Sequence, residues 1–289
     1  MQFYSYSDEY SETVTYPDKA LPIKTWLSHS RDFPTRSDVN HWHNDFELLY
    51  ILEGNMKYNV NGEILPLDKG SMLFVNSGNM HFGFQEDNTD CSIRCIVFHP
   101  SLLVSATLGQ SLDKLCGQNA PPYLLFHSSK LSDKAFTECV KNIERAFSSD
   151  SSSRSLELLA EIYLLCARLI ERIENTEHSV AYDTKQVQAM HRMTGFIQRN
   201  YSEKISLNDI AEAGAICRSK CCKIFREFLG KTPVEYLTEY RISKSIELLN
   251  TTDMSITDIA VNCGFCGSSY YAETFMKLMK CTPSEYRKK

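Results

Sequence analysis

The sequence has no long apolar run. Nowhere in its 289 residues do about eighteen apolar residues follow one another, so no membrane-spanning helix and no membrane partner are expected. Residues 1–30 carry acidic side chains early and lack the apolar core of a secretion signal, and we therefore expect the protein in the cytoplasm. A phosphate-binding glycine loop, a nucleotide-binding fingerprint and a Ser-His-Asp order are also missing, which argues against those enzyme classes.

A paired cysteine pattern is missing as well. The cysteine count of 11 is odd, and the residues are scattered without a repeated spacing. Reduced thiols therefore fit better than a disulfide framework. Cys263 and Cys266 form a single CxxC, which is weak evidence for zinc, and small buried side chains are the better interpretation.

Charge is distributed unevenly along the chain. The formal net charge is −5, yet residues 185–289 carry 16 Lys+Arg against 11 Asp+Glu, whereas the first 184 residues carry 15 against 25. An acidic front part is thus joined to a basic back part. This asymmetry predicts that the back part meets phosphate.

The back part contains an internal repeat. Residues 206–236 and 255–286 match at nine positions, with a spacing of 49 residues in the first half and 50 in the second. Each copy has a serine that can cap a first short helix, a glycine or short loop, and a second helix with apolar residues at i, i+3, i+4 and i+7. The repeat therefore predicts two helix-turn-helix motifs, at 206–229 and 255–279.

In such a motif the second helix enters the major groove of double-stranded DNA. The exposed positions of the two helices differ in charge. The first copy offers Arg218, Ser219, Lys220, Cys222, Lys223 and Arg226, and the second offers Ser268, Ser269, Tyr270 and Glu273. We therefore expect the first copy to supply most of the electrostatic affinity, although a solvated helix face is the alternative for either helix.

Residues 187–289 resemble the C-terminal DNA-binding domain of the AraC family of bacterial transcription regulators. The resemblance rests on Ile210-Ala211, Thr232-Pro233, Tyr240-Arg241-Ile242, Ile259-Ala260 and Thr282-Pro283. It implies two helix-turn-helix modules bridged by a long helix at about Pro233–Leu249. It also implies recognition helices in successive major grooves, about 34 Å apart.

The front part has the spacing of short strands. Asn61-Gly62 is a signal for a two-residue hairpin, and further turn residues flank an apolar SMLFV run. The pattern His41-x-His43, then Glu47 and later His81, resembles the two motifs of the cupin barrel, a jelly roll. The fold class is therefore α+β and multidomain: a cupin-like barrel, a helical linker and an all-α tandem helix-turn-helix domain.

The resemblance to cupins assigns His41, His43, Glu47 and His81 as ligands of one divalent metal. Sensor barrels of AraC-type regulators keep part of this motif without metal, so the first interpretation is an effector pocket in which these residues hydrogen-bond a small molecule such as a sugar. A bound divalent metal is the second and catalysis the third. Trp42 and Tyr50 are further candidates for effector contacts, with barrel core as their alternative.

Two amphipathic helices are predicted between the two parts. The domains are the barrel at 1–130, a helical region at 131–175, a linker at 176–186 and the DNA-binding domain at 187–289. An apolar stripe within 153–175 packs on the barrel or forms a homodimer, and the AraC resemblance favours the dimer. It also implies RNA polymerase as a partner.

We therefore predict an effector-responsive, sequence-specific transcription regulator without enzymatic activity. The alternative is a metal-dependent cupin enzyme fused to a DNA-binding module.

Overall fold

A computed structural model describes most of the chain. The described residues are 14–32, 40–85, 89–103, 109–117, 120–175 and 184–288. The predicted linker at 176–186 falls largely outside these ranges. Among the described residues, no helix is both long and apolar enough to cross a bilayer.

The front part forms two antiparallel sheets. Their strands are β1 (Ile23–His29), β2 (Phe46–Glu53), β3 (Asn55–Val60), β4 (Glu63–Asp68), β5 (Ser71–Val75), β6 (His81–Phe84), β7 (Ser92–Phe98) and β8 (Tyr123–His127). One sheet has the order β1-β7-β2-β5-β8 and the other β4-β3-β6. The sheets face each other around a shared apolar interior, as the predicted jelly-roll barrel requires.

The hairpin between β3 and β4 turns at Asn61 and Gly62. Both residues have positive φ angles, of 51° and 96°. Those values match the turn that Asn-Gly favours because its twist fits the flanking strands. The prediction of a hairpin here is confirmed.

Three helices accompany the strands: α1 (Gly109–Cys116) lies between β7 and β8 in the chain, and α2 (Lys134–Phe147) and α3 (Arg154–Glu174) follow β8. Leu158, Ile162 and Leu165 of α3 are fully buried in a core shared with α2 and the five-stranded sheet. Most of the apolar stripe predicted in 153–175 is therefore barrel core. Leu156 departs from this pattern, since 73% of its side chain is exposed.

The back part is all helical. Its helices are α4 (Thr184–Asn200), α5 (Leu207–Ala213), α6 (Arg218–Leu229), α7 (Pro233–Thr251), α8 (Ile256–Asn262), α9 (Ser268–Met279) and α10 (Pro283–Arg287). The helix pairs α5–α6 and α8–α9 are the two helix-turn-helix modules that the repeat predicts. We refer to them as the first and second modules, and the bridging helix is α7.

Helix starts in both modules follow from the repeated serines and threonines. Ser206 accepts a hydrogen bond from the backbone N–H of Asp209, whose carboxylate accepts one in return from the Ser206 backbone. Ser255 accepts in the same way from Asp258. Thr232-Pro233 starts α7 with a second capping box, since proline at the first turn gives up no helical hydrogen bond.

The two modules have separate cores, and only the first core includes barrel residues. Phe225 and Ile224 of α6 cluster with Met190 and Met193 of α4, and the barrel adds side chains to that cluster: Trp42, Met80 and Phe82. The core of the second module contains Tyr271 and Phe275 with residues of α7 and α8, and no barrel residue among those described. The barrel is thus packed directly against the first module.

Candidate functional site

The site lies where two backbone segments of the barrel meet. His41 and His81 pair through two backbone hydrogen bonds, from His41 N–H to His81 O at 3.2 Å and from His81 N–H to His41 O at 2.9 Å. His41 and His43 lie two residues apart, so their rings share a face of the segment. Glu47 enters from β2, where it is paired with Val97 of β7.

The four side chains form one cluster. Nitrogen and carboxylate oxygen atoms of His41, His43, Glu47 and His81 all lie within 4.8 Å of one another. Glu47 Oε2 lies 2.9 Å from His81 Nε2 and 3.2 Å from His43 Nε2. Atoms bound to one ion at about 2.1 Å are at most about 4.2 Å apart, so the cluster needs only a small contraction to hold a cation.

The tautomers of two histidines follow from their outer contacts. His81 Nδ1 lies 2.7 Å from the carbonyl oxygen of Asn79, and His43 Nδ1 lies 3.2 Å from that of Asp45. Because a carbonyl oxygen only accepts, each Nδ1 carries the donated proton. The lone pair of each neutral ring is then on Nε2, directed at Glu47. Such outer carbonyls are the usual orienting groups of metal-bound histidine.

Burial and contacts within the cluster shift the pKa values of Glu47 and His81. Burial raises the pKa of Glu47, but hydrogen bonds and charge interactions with His43 and His81 outweigh it and hold that pKa well below its ordinary value. Burial, followed by the nearby His41, lowers the pKa of His81 to about 4, so His81 is neutral at pH 7. A buried carboxylate thus lies next to imidazole nitrogens, a donor set that suits a divalent cation.

A cavity of about 410 Å³ adjoins the cluster. His41, His43 and Glu47 form one part of its wall, and the remainder is mixed. The other lining side chains include Lys24, Trp26, Leu49, Met56, Tyr58 and Ile93. A pocket of this size and polarity suits a small molecule.

Two of the predicted effector contacts lie away from this cavity. Trp42 and Tyr50 do not line the cavity, because alternate residues of a strand face opposite sides. Trp42 lies between His41 and His43 and points to the back part of the chain, where it stacks on His191. Tyr50 packs into the outer core beneath α2 and α3.

Two other residues on the cavity wall, Lys24 and Trp26, are not among the predicted effector contacts. Lys24 and Trp26 alternate along β1, and the Lys24 ammonium lies 5.1 Å from the centre of the Trp26 ring. The sequence IKTWLSH indicates these cavity contacts only weakly. Its apolar Ile23 and polar Lys24 face opposite sides of the strand. β1 is an edge strand, and it turns the polar side chain of Lys24 toward the cavity. An ordinary barrel strand has its apolar side chains on the inner face.

The predicted DNA-contacting side chains of the first module lie on α6. Arg218, Ser219, Lys220, Lys223 and Arg226 are exposed. Cys222 is half-buried, and Lys223 forms an i,i+4 ion pair with Glu227 at 3.5 Å. One face of α6 therefore presents basic side chains while the opposite face is buried.

The corresponding face of the second module has little charge. Ser268, Ser269, Tyr270 and Glu273 of α9 are exposed, with 53% of Tyr270 accessible. Tyr271 and Phe275 anchor the helix from its other side. The two recognition helices thus have the same framework and different surfaces.

The fold and these two surfaces define a DNA-binding regulator with a ligand-binding barrel, and comparisons with known proteins agree. Residues 28–166 match the AraC-like ligand binding domain, and residues 210–289 match a helix-turn-helix domain. An uncharacterised HTH-type transcriptional regulator, YdeC of Bacillus subtilis strain 168, is 31% identical over 252 residues, which cover 86% of this chain and 85% of the relative.

Two further proteins are similar over most of their length. The transcriptional activator RhaR of Mannheimia succiniciproducens is 26% identical over 86% of each chain. The crystal structure of ToxT from Vibrio cholerae O395 has a TM-score of 0.46 and 17% identity, covering 92% of this chain and 97% of ToxT. The chain belongs to the AraC family of transcription regulators, and it is an effector-responsive, DNA-binding regulator.

Proposed function

We propose that the first module supplies most of the DNA affinity. Four basic side chains are exposed on α6: Arg218, Lys220, Lys223 and Arg226. They suit phosphates and guanine edges, and Ser219 and Cys222 lie beside them on the same helix. Ser268, Ser269 and Tyr270 of α9 offer hydrogen bonds without positive charge, and Glu273 repels phosphate.

We propose further that the barrel holds a divalent cation at His41, His43, Glu47 and His81, and that the cation forms part of the effector pocket. The observation that carries this proposal is the convergence of two Nε2 atoms on Glu47 Oε2, while Nδ1 of each of those rings lies next to a carbonyl oxygen. The donor set suits Zn²⁺, Mn²⁺, Fe²⁺ or Ni²⁺. A bound cation supplies a Lewis-acidic point for an oxygen-bearing effector in the adjoining cavity.

Metal content tests the cation. We expect near-stoichiometric metal in untagged protein by mass spectrometry and a loss of it in His81→Ala. His127→Ala is the matched control, because His127 lies outside the cluster and pairs with Asp68. Metal-free wild-type protein would contradict the proposal. The same residues would then bind an organic effector by hydrogen bonds alone, to be sought among sugars and small metabolites by thermal shift.

Enzymatic activity is the second candidate, since the four ligands of the cluster are all present. The curated relatives are transcription regulators, and regulation without turnover is the function we propose. Turnover that His81→Ala abolishes while DNA binding is retained would support the enzyme instead.

We propose a homodimer formed through the outer face of α3. Leu156 and Leu164 lie on that face, with 73% and 47% of their side chains exposed. Leu156→Glu with Leu164→Glu is expected to yield monomers in light scattering. Leu131→Glu, at a site 79% exposed elsewhere, is the control. An unchanged dimer in the double variant would contradict this interface.

RNA polymerase is the proposed partner of the DNA-bound form, and the bacterial cytoplasm its place of action. In vitro transcription from a bound promoter tests this, with an increase or decrease in transcript as the expected result. Unchanged transcript at saturating protein would contradict it.

A further inference from the structure

The same two backbone segments that carry the site also carry the contact between barrel and first module. His41 and His43 face the cavity, and Trp42 between them faces the back part of the chain. His81 faces Glu47, and its neighbours Met80 and Phe82 join the core of the first module. Alternation along a strand thus places site and interface on opposite sides of one short piece of backbone.

Trp42 makes a close and oriented contact. Its indole lies 3.9 Å from the His191 ring between centroids, with an angle of 8° between the planes. His191 lies on α4 and is 3% exposed. The backbone of Gly78 also interacts with His191, and the Gly78 N–H donates to the His43 carbonyl oxygen at 2.9 Å. His191 therefore has two short connections to the segment that bears His43.

The hairpin turn at Gly62 forms a second contact, with α6 itself. A Cβ added to Gly62 would lie 2.1 Å from the carbonyl oxygen of Glu227 and 3.1 Å from Cα of Phe228. Both of those atoms belong to the helix backbone, which cannot move aside as a flexible side chain does. The barrel thus rests on the C-terminal turn of the recognition helix.

We propose that occupancy of the cluster is coupled to DNA binding through these contacts, such that a bound cation stabilises the packed arrangement of barrel and first module. The inference rests on the cation site proposed above. The proposal takes this packed arrangement as the one that binds DNA, since Arg218, Lys220 and Arg226 are all exposed in it. Cation and DNA therefore strengthen each other's binding, as reciprocal coupling requires.

The chain offers a built-in reporter for the interface. It has two tryptophans, Trp26 on the cavity wall and Trp42 at the interface. The Trp26→Phe variant keeps Trp42 as its single tryptophan, so its tryptophan fluorescence reports on Trp42. We expect Zn²⁺ to change that emission, because closing the cluster around the ion fixes the indole against His191.

The test compares two glycine substitutions in the full-length chain. Gly62→Ala obstructs packing of the barrel on α6. Gly70→Ala introduces the same kind of backbone strain, with φ of 95° against 96°, but its Cβ meets the Ser128 and His127 side chains inside the barrel. Zn²⁺ affinity is measured by chelator competition, and DNA affinity by anisotropy on a duplex selected by the protein from a randomised library.

In wild type and Gly70→Ala we expect Zn²⁺ to raise DNA affinity by about fivefold or more, the usual scale of coupling between sites. In Gly62→Ala we expect Zn²⁺ to bind without changing DNA affinity. Wild-type coupling in Gly62→Ala, or bound Zn²⁺ with unchanged DNA affinity in wild type, would overturn the coupling alone. Absence of Zn²⁺ binding in wild type would overturn the cation site and the coupling together.

Discussion

The two helix-turn-helix modules share one framework, yet they differ in surface and in anchoring. The first has a basic recognition helix and a core that includes barrel side chains, whereas the second has a recognition helix with one exposed acid, Glu273, and a core of its own. Duplication therefore preserved what each module needs in order to fold. It left the exposed positions free to diverge, so the basic recognition surface and the contact with the barrel both belong to the first module.

The largest expected effect comes from removing a buried ring from the core of each module and comparing the two losses. Phe225→Ala and Phe275→Ala each remove a fully buried ring and should cost about 3–5 kcal/mol. Because the Phe225 core includes Trp42 and Met80, its loss should also loosen the barrel contact, while Phe275→Ala should leave barrel and first module intact. Hydrogen exchange resolved by segment measures this. Equal increases of exchange near Trp42 in both variants would remove the difference in anchoring.

A second comparison concerns charge on the recognition helices. Lys220→Ala or Arg226→Ala should weaken DNA binding roughly tenfold and reduce the magnitude of its salt slope by about one per lost phosphate contact. Glu273→Ala should not weaken binding, because it removes only repulsion. Titrations at several salt concentrations provide the measurement. If substitutions on α6 and α9 had equal effects, the proposed asymmetry would be wrong.

The asymmetry can also be reduced by design. Glu273→Lys places a cation on α9 where α6 is basic, and should raise affinity several-fold with a steeper salt slope. Glu138→Lys makes the same charge change at an exposed position of α2 and is the control. An equal gain in both variants would show that net charge, not the face of α9, determines the result.

The smallest expected effect lies at the helix starts. Ser206→Ala should cost less than Ser255→Ala, about 0.5 against about 1 kcal/mol, because the Asp209 carboxylate still accepts from the residue 206 backbone. Calorimetric unfolding of the two variants measures the difference. A larger loss in Ser206→Ala would mean that the capping box adds nothing beyond its serine.

The sequence was sufficient for the modules and for the cluster because both depend on local periodicity. A repeat of nine positions predicts two copies of one fold, and two histidines at i and i+2 on one strand must share a face. The hairpin at Asn61-Gly62 depends on two residues alone. In each case the pattern and the structure that it predicts lie within a short stretch of chain.

The residues that were missed or misassigned depend on distant partners. Trp42 could not be matched to His191, because nothing local to either residue identifies the other. The surroundings of Tyr50 and Leu156 also depend on residues that are distant in the sequence. Burial of Tyr50 depends on α2 and α3 packing over the five-stranded sheet, and the same packing decides which side of α3 faces outward.

The bridging helix α7 has a mechanical consequence. Its 19 residues span about 28 Å and join the two modules as a rigid spacer. Inserting one residue would turn the second module by about 100° relative to the first, so that α9 would face away from the duplex. Inserting seven residues would nearly restore the angle but add about 10 Å, close to three base pairs of DNA. We therefore expect the length of α7 to set the half-site spacing and a lengthened helix to select a correspondingly longer operator.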